Sequence, residues 1–524
     1  MVIKADVIVI GGGSTGTGVA RDLALRGLKP LLLEKGDFAN GATGACQGLL
    51  HSGCRYVVSD PQSARECYSE NRILRRIASN CIEETEGLFV SLGEDGLEYQ
   101  EEFIAGCNTI GIPVEVLSPE SALALEPALS REVNSAVRVP DASINPFTLV
   151  LENANSAETR GGKRMTHCRI TGMIVEAGRV KGVQAVNVKT GEPVEARAEF
   201  VVNATGAWAG QMVGLVGLTI PMVYSKGSIL VTSRRPTEMV VNRCRPPSDG
   251  DIVVPHETTG LIGTTSIQVA DPEGLTVEPR EIRLLVTETA KMVPSVASAR
   301  LIRAFTGVRP LFAEARTDND REISRGFLVL DHEERDGIGG LVSIVGGKMA
   351  TYRLMAEKTV DVVCKRLGLS APCTTHLEPL TGSQRRGFVS LAERLAKTAP
   401  ERRRELREGT IVCECELVTR REIEEAVLAE DASDLDSIRI RTRMGTGPCQ
   451  GAFCAYRALG ILEGLGKVDD PCPNGMLKMF LEHRWQGIRP ILEGDQLREE
   501  ELVHAIYGGI FNLNKSGEPL KGAP

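Results

Sequence analysis

The sequence predicts an α/β and α+β architecture: a Rossmann-like nucleotide-binding domain interleaved with a mixed β-sheet domain, then a small helical C-terminal domain. Three observations carry this. A strand, glycine loop and helix open the chain between Asp6 and Arg26; a second strand, glycine turn and helix run from Leu341 to about Leu367; and four cysteines mark a separate unit near the end.

Asp6 to Ile10 is a short β-branched run that breaks into Gly11-Gly12-Gly13-Ser14-Thr15-Gly16 and then a helical segment. Gly11, Gly13 and Gly16 fill G-x-G-x-x-G, with one glycine each for the tight turn, close phosphate approach and helix–strand packing. A pyrophosphate then meets the open amides of the helix N-terminus. Leu31-Leu32-Leu33 ends in Glu34, eighteen residues past Gly16. A carboxylate there bonds both ribose hydroxyls and disfavours a ribose phosphate. The cradle alone does not separate FAD from NAD.

A chain of 524 residues with 42% apolar content has room for roughly three domains and a sizeable core. Its 61 basic and 69 acidic residues give a net charge of −8 without a basic block, which argues against nucleic acid as a partner. No stretch approaches about 18 consecutive apolar residues and the N-terminus passes straight into a strand. The expectation is a soluble, cytosolic-side chain without a signal peptide or transmembrane segment. Fourteen cysteines in so long a chain do not form a disulfide scaffold; Cys46, Cys54, Cys67, Cys81, Cys107, Cys168, Cys244, Cys364, Cys373 and Cys472 read as small, mostly buried residues.

The glycine-rich run Gly41 to Tyr56 suits backbone lying against a flat ligand, and Leu49, Leu50, His51, Arg55 and Tyr56 are costly choices for a solvated linker. Pro61 to Cys81 reads as a charged amphipathic helix, and Phe147 to Arg160 as another, after Ser143-Ile144-Asn145-Pro146. Cys168 to Asn203 alternates between turns at Ala177-Gly178 and Thr190-Gly191, predicting a β-meander that closes on Ala204-Thr205-Gly206. From Leu218 to Arg325 the pattern is strand-rich with one helix near Glu281 to Met292, the expected substrate region. Leu341 to Val345 then leads into Gly346-Gly347-Lys348-Met349-Ala350-Thr351, a second helix N-terminus aimed at the cofactor. A linker and surface helix containing Arg402 to Arg404 follow, and the last seventy residues read as helical with a frayed end.

Cys413-Glu414-Cys415 is followed after thirty-three residues by Cys449 and after four more by Cys454. Zinc knuckles separate paired cysteines by two to four residues, whereas C-x-C suits two thiolates on one iron and C-x4-C matches half of a plant-type [2Fe-2S] spacing. The reading is a [2Fe-2S] cluster, with zinc or no metal as the alternatives. Arg441, Arg443, Gly445, Gly447 and Pro448 bring cations and open amides to offset its charge.

The glycine loop, the Leu-Leu-His-Ser-Gly-Cys-Arg-Tyr run ending at Tyr56, Ala204-Thr205-Gly206, Gly307-Val308-Arg309-Pro310 and Gly346 to Arg353 together resemble the FAD-dependent glycerol-3-phosphate dehydrogenases of the D-amino-acid-oxidase-like fold. The cysteine segment resembles the bacterioferritin-associated-ferredoxin-like [2Fe-2S] domain. The resemblance implies FAD rather than NAD, held by Gly11, Gly13, Ser14, Thr15, Gly16, Glu34, Lys35, Thr43, Gly44, Leu49, His51, Ala204, Thr205, Gly206, Gly347, Lys348, Met349, Ala350 and Thr351. It implies Cys413, Cys415, Cys449 and Cys454 as cluster ligands. It implies oxidation of sn-glycerol 3-phosphate to dihydroxyacetone phosphate, with Arg309 and Arg325 on the phosphate and Arg55, Tyr56, Lys348 and His51 around the glycerol. Ile229 stands where respiratory relatives carry a histidine, which leaves His51, Lys348 and His256 as candidates for the base.

The resemblance also implies two partners, a second soluble flavoprotein subunit plus a membrane-anchored iron–sulfur subunit, with quinone as acceptor and a peripheral place on the cytoplasmic side of the inner membrane. The expected division is an FAD-dependent region over 1–378, with FAD-binding segments about 1–75, 140–215 and 335–378 and substrate segments about 76–139 and 216–334. A linker follows over 379–408, a [2Fe-2S] domain over 409–465 and a helical extension over 466–524. The rival readings are an amino- or imino-acid dehydrogenase, which binds a carboxylate, and a non-catalytic electron-transfer protein.

Overall fold

The computed structural model describes residues 2–313, 321, 323–385, 387–391, 410–429, 432–468 and 473–513. Cys472, the arginine run Arg402 to Arg404 and the expected frayed end lie outside these residues.

Six strands make the nucleotide sheet in the order Lys163–Met165, Pro30–Leu33, Val7–Ile10, Phe200–Asn203, Leu341–Gly346, Phe327–Asp331. All neighbours are parallel except the last pair. Val7–Ile10 is buried along its length because both faces are covered, hence its unbroken apolar run. Val7 and Val9 face one side and pack with the helices Ser14–Leu25, Pro146–Glu158 and Tyr352–Leu367 through Val19, Leu23, Val150 and Val360. Ile8 and Ile10 face the other and meet Val180, Val183 and Ala196 of the meander Cys168–Glu176, Arg179–Asn187, Pro193–Arg197. Phe200–Asn203 leaves the meander to enter the parallel sheet. The helices start where side chains stop them fraying: Asn145 Oδ1 accepts the Phe147 and Thr148 amides ahead of Pro146, and Asp60 accepts the Ser63 amide ahead of Pro61.

A second, mixed sheet of nine strands stands beside the first, built on the long pair Met222–Thr232 and Leu301–Phe312. Helix Pro279–Met292 covers it, and its buried Glu281 takes Lys226 Nζ and Ser228 Oγ, each at 2.7 Å, and Thr265 Oγ1 at 2.9 Å. Phe327–Asp331, grouped by sequence with the substrate segment, instead edges the nucleotide sheet, because its residues pair with Val342 to Gly346.

The C-terminal unit joins the hairpin Ile411–Cys413/Val418–Thr419 to helices Arg420–Ala429, Leu435–Thr442 and Ala455–Gly464. Helices Pro473–Ile488 and Asp495–Ile510 share that unit's core through Leu477, Phe480 and Tyr507, so they complete it rather than extend it. Among the described residues no helix is long and apolar enough to cross a membrane.

Candidate active site and cluster centre

The parallel strands end together at Ile10, Leu33, Asn203 and Gly346, and a cavity of about 1040 Å³ opens there between the two sheets. This is the crevice where open α/β sheets take ligands, and its volume is just above the ~300–1,000 Å³ typical of ligand sites.

One end is a nucleotide cradle. Gly11 has φ +113°, and a Cβ there would fall 2.5 Å from the Ala204 carbonyl; a Cβ on Gly16 would fall 1.9 Å from the Gly11 carbonyl. Only glycine lets loop, helix and the Ala204-Thr205-Gly206 edge approach so closely. Glu34 accepts the Gly12 amide at 2.6 Å and the Gly36 amide at 2.8 Å. Burial raises its pKa, and those two amides oppose the shift. A carboxylate has two further acceptor sites for ribose hydroxyls. Ser14 donates its amide to Thr43 Oγ1 at 3.1 Å. The wall here carries Gly11, Gly13, Ser14, Thr15, Glu34, Lys35, Thr43, Ala204, Thr205 and Gly206. Lys35 stands at the rim, 3.8 Å over the Trp208 ring and paired with Glu273 at 3.2 Å. These donors, the glycine-only contacts and the volume fit FAD.

Leu49, His51, Gly347, Lys348, Met349 and Ala350 continue the wall inward. Gly16, Gly44 and Thr351 do not reach it. Gly44 is wedged against the Ala39 carbonyl and Phe147, and the buried Thr351 donates to the Lys348 carbonyl at 3.0 Å to close the turn. All three shape the cradle from behind.

At the inner end Arg55, Tyr56, His51, Lys348, Arg309 and Arg325 share one wall. Lys348 Nζ lies 4.9 Å over the Tyr56 ring and donates to the Arg325 carbonyl at 2.8 Å, while the Arg325 amide donates to Asp60 at 3.2 Å. Arg309 donates to Ser225 Oγ at 3.1 Å, to the Thr265 carbonyl at 3.1 Å, and to Thr264 Oγ1. It lies across Gly227, where a Cβ would meet its Nη2 at 2.7 Å, which explains the glycine of Lys-Gly-Ser. His51 Nδ1 and Arg55 Nη1 are buried with no hydrogen-bond partner among the described residues, so each is left for a ligand. Burial first, then the charges of Arg55 and Lys348, hold the His51 pKa down at about 3.

Ile229 lines the cavity, whereas His256 does not. Nε2 of His256 donates to the Gln47 carbonyl at 2.7 Å, which leaves Nδ1 to accept from Ser143 Oγ at 2.9 Å. Its two nitrogens are occupied, so it braces the wall and is not placed to take a substrate proton. Sequence reasoning passed over Asp60, Ser248 and Arg321, which line the cavity together with Cys46 and Thr264, and Asp249 and Asp251 behind it.

The four C-terminal cysteines converge. Cys415 Sγ lies 3.6 Å from Cys449 Sγ, and the Cys413 thiol pairs with that of Cys454. Cys449 is pulled down to about 6 by its hydrogen bond with Cys415 and by the amides of Gly451, Phe453 and Ala452, against burial. The amides of Gly445 and Glu416 point at Cys413, and a Cβ on Gly447 would fall 2.4 Å from that of Cys415. Arg441 and Arg443 bond Asp37 and Glu416 respectively, and the groups seen aimed at Cys413 and Cys449 among the described residues are backbone amides. Four facing thiols with amides aimed at them are a donor set for an anionic iron–sulfur cluster.

Fold and site together define a flavin-dependent oxidoreductase with a built-in cluster domain. Residues 6–353 match the FAD dependent oxidoreductase family and residues 411–464 the BFD-like [2Fe-2S] binding domain. The chain is 44% identical to a component of the anaerobic glycerol-3-phosphate dehydrogenase of Escherichia coli (strain K12), covering 98% of each chain. It is also 44% identical to the corresponding component of the Haloferax volcanii enzyme, covering 97% of this chain and 91% of that one. Among solved structures, the FAD-complexed glycerol-3-phosphate dehydrogenase of Bacillus halodurans aligns with a TM-score of 0.64 at 20% identity, over 94% of this chain and 96% of that one. The chain belongs to this family of anaerobic glycerol-3-phosphate dehydrogenase components, and its cofactors are FAD and a [2Fe-2S] cluster.

Proposed function

We propose that this chain oxidises sn-glycerol 3-phosphate to dihydroxyacetone phosphate and passes the electrons outward through its cluster. The observation that carries the reading is the charge of the inner wall. Among the described residues, Arg55, Arg309, Arg321, Arg325 and Lys348 face it against Asp60 alone, while Asp249 and Asp251 sit behind Arg321 and Arg55. Such a surplus suits a phosphate dianion better than the single carboxylate of an amino or imino acid.

Bound FAD supplies the hydride acceptor. Arg309, locked from behind by Ser225 and Thr265, and Arg325, tied through its backbone to Asp60 and Lys348, hold the phosphate. His51 is the group suited to take the hydroxyl proton: it is neutral and its Nδ1 is unpartnered among the described residues. A dianion beside Arg55 and Lys348 offsets two of the influences that depress His51, raising its basicity when substrate is present. Lys348 orients rather than accepts, because its ammonium donates to the Arg325 carbonyl.

The cluster relays electrons singly. The finer reading gives them to a second soluble flavoprotein subunit, then to a membrane-anchored iron–sulfur subunit that reduces quinone, with this chain held peripherally on the cytoplasmic side. The relatives are named as one lettered subunit of their enzymes, which supports partners of this kind. The 1–378, 409–465 and 466–524 division is kept in this reading, with the last two sharing one core.

The test is an anaerobic visible spectrum before and after sn-glycerol 3-phosphate, with proline-like and opine-like amino acids as controls. Bleaching by the phosphate ester alone is expected. Bleaching by an amino acid alone overturns the substrate, and no bleaching supports the electron-carrier reading.

A further inference from the structure

We propose that Asp251 is a positioning residue: it holds Arg55 so that the unpartnered Nη1 is presented to the anionic end of the substrate. The inference rests on the reading of the inner wall given above.

Arg55 Nη2 donates to Asp251 Oδ2 at 3.0 Å, across 196 residues of chain. The carboxylate cannot follow Arg55 if it moves. Its Oδ2 also accepts the Ser248 amide at 2.6 Å, and its Oδ1 accepts Arg245 Nε at 3.0 Å and Nη2 at 2.8 Å. Asp251 is fully buried, at the start of strand Ile252–His256, so backbone and side chain are both anchored. Arg55 comes from an equally rigid piece, the single turn Cys54–Tyr56, whose leading Gly53 has φ +96° and would put a Cβ 2.4 Å from the Ala64 carbonyl. Two stiff elements therefore meet at one ion pair. Here the side toward Asp251 is bonded and Nη1 is buried without a partner among the described residues. Because Arg55 also lines the cavity, this donor is open to a ligand bound there.

A double-mutant cycle on the holoenzyme tests this, with Asp251→Asn, Arg55→Ala and the pair. Asp251→Asn keeps the shape and removes the charge. Its KM for sn-glycerol 3-phosphate and its inhibition constant for inorganic phosphate are both expected to rise about tenfold or more, with flavin content unchanged. In the Arg55→Ala background the same change is expected to have no further effect, because Asp251 acts only through Arg55. An unchanged KM, or effects that add, overturns the proposal. If Asp251→Asn loses its flavin, Arg245→Gln replaces it: Arg245 is one-fifth exposed, and its loss frees Oδ1 and lets the carboxylate turn. The KM is expected to rise, again only when Arg55 is present, and additivity overturns the proposal as before. Reduction of the wild-type flavin by sn-glycerol 3-phosphate separates the two readings. Its failure overturns the function and this inference together, whereas its success with additive variants overturns only the inference.

Discussion

Arg441 of the cluster unit donates to both carboxylate oxygens of Asp37, three residues beyond Glu34 of the nucleotide cradle, at 2.7 and 3.3 Å. Burial would raise the Asp37 pKa, but Arg441 outweighs it and holds the carboxyl below the usual range. Cluster unit and nucleotide loop are thus joined through a buried ion pair. Removing one partner of such a pair leaves an uncompensated charge, at about 3–5 kcal/mol. Arg441→Met is therefore expected to lower the melting temperature and weaken flavin retention while the cluster signal persists. Unchanged melting and flavin content would show that the two units are held together by other contacts.

Arg309→Ala removes a guanidinium that is fixed by Ser225 and Thr265. Losing one charge-assisted contact of about 1.5–3 kcal/mol raises KM for sn-glycerol 3-phosphate roughly 10- to 150-fold. Flavin absorbance is expected to stay, since Arg309 belongs to the inner end of the cavity. Steady-state kinetics with a dye acceptor check this, and an unchanged KM removes Arg309 from the phosphate site.

Gly16→Ala places a methyl carbon 1.9 Å from the Gly11 carbonyl, an overlap that nothing short of moving the helix can relieve. The expected product is a folded chain with little or no FAD but an intact cluster. The ratio of bound flavin to iron measures it. Full flavin occupancy would mean that the loop can move away.

Cys413→Ser is expected to abolish the electron paramagnetic resonance signal of the reduced cluster, because Cys413 and Cys454 form one of its two facing thiol pairs. Bleaching of the flavin by substrate is expected to survive. A persistent signal would place the ligands elsewhere.

Acid should destabilise the substrate-free protein through two largely enclosed neutral histidines. His51 is held at about 3 and His256 at about 4, both chiefly by burial. Their unfolded values are near 6.5, so above that pH neither state binds the proton. As pH falls from about 6.5 toward 4 the unfolded chain takes up protons that the folded chain refuses, and stability drops by roughly 1 kcal/mol per pH unit for each group. Thermal midpoints at pH 7 and pH 5 measure the loss, and His256→Gln should flatten it. Equal midpoints in the wild type at the two pH values would count against burial of neutral imidazoles.

Local chemistry made much of this molecule readable. Gly11, Gly13, Gly16 and Glu34 announce themselves because a tight turn, a close backbone approach and a carboxylate at a strand end each demand one residue type at one spacing. C-x-C followed by C-x4-C is equally local, since two cysteines on one short loop must share a centre. Less visible were Asp60, Asp251 and Arg321, ordinary charged residues in turn-rich stretches whose partners lie far away in sequence. His256 looked like a candidate base until its neighbours were known, because an imidazole carries no sign of what its nitrogens bond.

The sequence by itself determined the nucleotide cradle and the four-cysteine centre, because these depend on residue type and short spacing, while flavin in place of NAD followed from the family resemblance. Only the tertiary structure decided which cations face the cavity and which brace it. It set Arg55 against Asp251 across 196 residues and Arg441 against Asp37 across 404. Such pairings arise from how the two sheets and the cluster unit pack, and side-chain burial and orientation over those separations leave no local pattern in the chain.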